Sequence, residues 1–89
     1  MKHTNVTVCG KVQGVTYRTS AKQEAERLGI KGFVKNETNG DVYLELEGSE
    51  EQLNKMVRWC RIGPPQSRVK EIYFNDAEVK NFTAFEIKN

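Results

Sequence analysis

Residues 31–47 read Lys31-Gly32-Phe33-Val34-Lys35-Asn36-Glu37-Thr38-Asn39-Gly40-Asp41-Val42-Tyr43-Leu44-Glu45-Leu46-Glu47. Val42, Leu44 and Leu46 alternate with Tyr43, Glu45 and Glu47, the period-two pattern of a strand with one dry and one wet face. Asn39-Gly40 tolerates the positive φ angles of a type I′ turn, so residues 31–38 and 41–47 are expected to form an antiparallel hairpin.

On either side of this hairpin the apolar period changes to that of a helix. Upstream, Ala21, Ala25 and Leu28 recur at i, i+4, i+7, Ser20 and Gln23 have capping-box spacing, and Gly29 is a natural stop. A helix over residues 20–28 is expected. Downstream, Ser49 and Gln52 repeat the capping spacing, Leu53, Met56, Val57 and Cys60 form the stripe, and Gly63-Pro64-Pro65 ends it. Val6, Val8 and Val12 share one parity of a first strand, and residues 69–74 and 82–87 read as two more. The order is βαββαβ plus a terminal strand. It predicts an α+β fold, the ferredoxin-like α/β sandwich, with two helices on one face of a mainly antiparallel sheet.

The chain has 89 residues and suits one domain over residues 1–89, with one thin core. No run approaches the roughly 18 apolar residues of a membrane span, and the N-terminus lacks the apolar core of a signal peptide. Cys9 and Cys60 read as buried thiols of a reducing, cytoplasmic protein. A single histidine and no C-x-x-C pair leave no zinc pattern, and no metal or cofactor is expected. His3 reads as solvated in a frayed terminus. The net charge of +2 divides unevenly. Residues 1–31 carry six basic and two acidic groups, residues 32–53 one and six, and residues 54–70 five and none. Local positive regions suit one small anion better than nucleic acid.

Chemistry concentrates in two places. In Gly10-Lys11-Val12-Gln13-Gly14-Val15, glycines let backbone N–H groups converge just before a helix N-terminus, an anion-binding arrangement. Arg18 follows, with a planar fork of donors suited to phosphate. A plain β-to-α turn with a solvated arginine is the alternative, and the spacing is not that of a Walker A loop. Asn36 is an amide at a strand end; it either caps the turn with its own side chain or serves a site. Trp59 reads as packing, Cys9 has no basic partner for a thiolate, and Glu45 with Glu47 lacks the cleft a glycosidase needs.

Residues 8–18, Val8-Cys9-Gly10-Lys11-Val12-Gln13-Gly14-Val15-Thr16-Tyr17-Arg18, resemble the first signature of the acylphosphatases. Gly32-Phe33-Val34-Lys35-Asn36 with Gly40, Val42 and Gly48 resembles the second, and Gly63-Pro64 with Ser67-Arg68-Val69 a third segment. The resemblance spans nearly the whole chain. It implies the ferredoxin-like sandwich and hydrolysis of the carboxyl-phosphate bond of small-molecule acyl phosphates, without metal or cofactor. By the same resemblance the backbone of Gln13, Gly14, Val15, Thr16, Tyr17 and Arg18 cradles the phosphoryl group, Arg18 binds it, and Asn36 holds the attacking water. Inorganic phosphate would be product and competitive inhibitor. Tyr17 stands where the family usually has Phe, and Glu37 where several animal members carry a hydroxyl; both bear on rate rather than on activity. A buried Tyr17 hydroxyl would need a partner.

Two rival readings use the same topology. An RNA-binding module would explain Lys31-Gly32-Phe33 as the start of an RNP1 motif. That motif belongs on the third strand, and Thr7, Cys9, Tyr43, Glu45 and Glu47 make a poor stacking face. A non-catalytic anion-sensing or regulatory domain needs Arg18 but has no use for Asn36. A monomer without nucleic-acid or membrane partners is expected, with an edge strand near residues 82–87.

Overall fold

The computed structural model describes residues 1–88. Along the chain lie β1 (Lys2–Lys11), α1 (Tyr17–Leu28), β2 (Lys31–Asn36), β3 (Val42–Gly48), α2 (Glu50–Ile62), β4 (Arg68–Ala77) and β5 (Phe85–Lys88). The five strands form one sheet in the order β4-β1-β3-β2-β5, antiparallel except where β5 runs parallel to β2. Both helices pack on this sheet and on each other, giving the expected ferredoxin-like α+β architecture. Among the described residues no helix is long and apolar enough to cross a membrane.

Register explains the core. Val6 pairs with Leu44 and Val8 with Val42, and on the other side of β3 Val34 pairs with Leu44 and Asn36 with Val42. One face therefore presents Val34, Leu44, Val6, Val42 and Val8 to Ala21, Ala25, Leu53, Met56 and Cys60 of the helices. Asn36 shares this apolar parity.

Several local expectations are corrected. Helix α1 starts at Tyr17, three residues before Ser20, because a left-handed Thr16 already directs the chain into the helix; the Ser20 N–H donates to the Thr16 carbonyl at 2.9 Å. The 31–47 hairpin forms, but not through a type I′ turn. Asn39 has no positive φ. The Glu37 N–H donates to the Asp41 carbonyl and the Gly40 N–H to the Glu37 carbonyl, with Gly40 at φ 98°. This is a three-residue loop whose left-handed position needs the glycine. Phe82 lies outside the last strand, which spans Phe85–Lys88.

The face expected to be wet is also different. His3, Glu45 and Glu47 are buried. The backbone around Lys80 and Phe82 crosses over them: Glu47 accepts the N–H groups of both residues, and Lys80 Nζ donates to Glu45 at 2.8 Å. His3 Nδ1 lies 2.7 Å from Glu47, its Nε2 lies 3.2 Å from Glu45, and its ring sits against Phe82. Burial works to raise both carboxyl pKa values and is outweighed. Lys80 and Tyr43 pull Glu45 below its usual range, and His3 with the two backbone donors does the same for Glu47. The same crossing covers Glu45 and Glu47, part of the face on which an RNA-binding module would stack bases.

Candidate active site

Between β1 and α1 the backbone alternates in hand. Gly14 has φ 72° and Thr16 φ 62°, while Val15 between them keeps a negative φ. Such alternation turns successive N–H groups toward one concavity, the arrangement of anion-binding nests. At Gly14 the need is conformational rather than spatial, since an added side chain would meet nothing within 4 Å. Thr16 is a β-branched residue in the left-handed region, a state that costs about 1–3 kcal/mol and persists only where its surroundings impose it. Its hydroxyl donates to the Val15 carbonyl at 2.6 Å and does not cap the helix. No acidic residue lies in the first turn of α1. The helix thus begins with unpaired N–H groups and an uncompensated positive dipole end.

Arg18 and Asn36 meet at this opening. A cavity of about 100 Å³ is lined by Val12, Gly14, Thr16, Tyr17, Arg18, Thr19 and Asn36. Roughly 300–1,000 Å³ is usual for pockets that enclose a drug-sized ligand, so this cavity has room for a small anionic head group only. Arg18 Nη1 donates to the Lys88 carbonyl at 3.1 Å, which fixes the guanidinium to the end of β5. Asn36 Oδ1 is the one buried side-chain polar atom, among the described residues, without a hydrogen-bond partner. Leaving such an atom unmatched costs about 1–3 kcal/mol. Its side chain does not cap the hairpin.

The other expected residues divide by role. Gly14, Thr16 and Tyr17 share the cavity. The Tyr17 ring points the other way, into the core, stacked obliquely on Trp59, and its hydroxyl donates to the Cys60 carbonyl at 2.8 Å. Burial raises the Tyr17 pKa and pushes the Cys60 thiol up to about 12, so neither ionises near neutrality. Cys60 is buried and Cys9 half-buried, and both are free. The Val15 side chain is buried away from the cavity. The Gln13 side chain reaches the hairpin: its Nε2 donates to the carbonyls of Glu37 and Asp41, each at 2.8 Å. Sequence reasoning missed Thr19 and the Lys88 carbonyl. Starting the helix at Tyr17 would have exposed Thr19, because it brings that residue into the first turn.

Comparison with known proteins follows the same lines. The acylphosphatase family model matches residues 4–87. The chain belongs to the acylphosphatase family. It is 42% identical over 88 residues to an acylphosphatase of Methylococcus capsulatus, covering 98% of this chain and 96% of that protein. The crystal structure of acylphosphatase from Bacillus subtilis superposes with a TM-score of 0.97 at 31% identity, covering 100% of both chains. An acylphosphatase structure from Coxiella burnetii gives a TM-score of 0.95 at 36% identity, covering 98% of this chain and 92% of the other. Enzymes of this family act on small-molecule acyl phosphates.

Proposed function

We propose that this chain hydrolyses the carboxyl-phosphate bond of acyl phosphates by direct attack of a water molecule oriented by Asn36. The observation that carries the reading is that Asn36, whose buried Oδ1 has no hydrogen-bond partner, lines the same cavity as Arg18 and the left-handed loop. An amide with an unmet acceptor, lining the same cavity as an anion cradle, suits the holding of a water whose lone pair must point at phosphorus. In this reading the N–H groups of residues 13–18 and the Arg18 guanidinium hold the phosphoryl oxygens. The positive end of α1 offsets charge that develops on them. The water oxygen bonds to phosphorus as the acyl oxygen departs with the bonding pair. The water proton passes to a phosphoryl oxygen, and the products are a carboxylate and inorganic phosphate.

Each requirement fits the residues at hand. A carboxylate leaves without being protonated, so no general acid is needed, and phosphoryl transfer rests on positioning and charge stabilisation. All the groups come from one chain, which suits a monomer. Inorganic phosphate, having the same head group, acts as a competitive inhibitor. The test is hydrolysis of benzoyl phosphate by folded protein in EDTA. Turnover well above buffer is expected. Absence of turnover with retained phosphate binding would instead mark an anion-sensing domain.

A further inference from the structure

The sheet order poses a problem for this site. Loop 12–16 leaves from the end of β1, whereas Asn36 ends β2, and β3 lies between those two strands. No backbone pairing of β1 with β2 sets the distance from the anion loop to the amide. Gln13 crosses that gap. Its two Nε2 protons go to the Glu37 and Asp41 carbonyls, which open and close the three-residue hairpin loop directly after Asn36. Both acceptors already serve the loop: the Asp41 carbonyl takes the Glu37 N–H and the Glu37 carbonyl takes the Gly40 N–H. The amide therefore fastens the mouth of the hairpin to the anion loop as one unit.

We infer that Gln13 is a positioning residue, whose side chain sets the register between the Arg18 loop and Asn36. This rests on the proposed hydrolytic reading of the site. Because the side chain touches the hairpin and not the cavity, its loss leaves the phosphate cradle intact and displaces the water-orienting amide. Misplacing one reacting partner by about 1 Å can lower a rate by about 10²-fold.

The variants are Gln13→Met, which keeps length without donors, and Gln13→Ala, which keeps the backbone N–H alone. In both, kcat for benzoyl phosphate falls about 10–100-fold while the inhibition constant of inorganic phosphate changes by less than about threefold. In an Asn36→Ala background the same substitutions change kcat by less than about threefold, because the group they position is gone. The side-chain amide resonance of Asn36 in ¹H–¹⁵N spectra shifts in both variants and stays in place in Ser49→Ala. Unchanged kcat, additive losses in the double variants, or phosphate affinity falling in step with kcat would overturn the inference. So would failure of both variants to fold, since two neutral hydrogen bonds do not hold up a whole domain. An inactive parent protein would overturn the hydrolytic reading, and the Asn36 resonance would still decide the role of Gln13.

Discussion

The two helices begin in opposite ways. At α2, Ser49 accepts the Gln52 N–H and Gln52 returns a bond to the Ser49 N–H, with Glu50 and Glu51 in the first turn. Donors and dipole are both answered from within the chain. At α1, Thr16 occupies the same N-cap position in a left-handed conformation, with no capping bond and no acidic residue in the first turn. One fold can build a closed helix start, and does so at α2. The open start at α1 faces a cavity lined by Arg18 and Asn36, so its unmet donors are available to an anion from outside. The contrast shows stability withheld at the residues proposed to act on substrate.

Substitutions can break or sharpen that contrast. Arg18→Ala has the largest expected effect, about 10²–10³-fold in kcat/KM together with weaker phosphate inhibition. Asn36→Ala is expected to lower kcat by about 10²-fold with phosphate inhibition nearly unchanged, and its melting temperature holds or rises because an unmatched buried acceptor is removed. Steady-state kinetics with and without phosphate, alongside thermal melts, separate the two. Thr19→Glu writes into α1 the acidic first turn that α2 possesses. It should stabilise the helix by about 0.3–1 kcal/mol while raising the phosphate inhibition constant about tenfold, an internal anion competing with the external one. Ser49→Ala opens the closed helix instead. It should cost about 1 kcal/mol, a fall of about 4–8 °C in melting temperature, and leave kcat unchanged.

Much of this was legible in the chain. The Val42, Leu44, Leu46 alternation and the Ser49/Gln52 pair report local physics, and both elements form where read. Asn36 stood out as an amide at a strand end, but the sequence left it between capping the turn and serving a site, because only the register shows it on the apolar parity of β2. The start of α1 was not legible. Ser20 has the side chain of a cap, but the hand of Thr16 is imposed by the surrounding loop, which no propensity records. His3 was misread for another reason. Its partner Glu47 lies 44 residues away in sequence, and the cover over both comes from Lys80 and Phe82. Alternation alone cannot say whether a polar face later receives a lid of main chain.

The bond from Arg18 to the Lys88 carbonyl has a kinetic consequence. It ties the cavity to β5, a four-residue edge strand that makes the one parallel pairing among the described residues. Parallel contacts that close a long stretch of chain are slow to form, and short edge strands open at low local free energy. Phe85 anchors the start of this strand in the core, whereas Lys88 lies at its far end, so the guanidinium loses its hold when that end frays while the core is still in place. Activity should therefore appear late in refolding and vanish early in unfolding, ahead of any change in helix content.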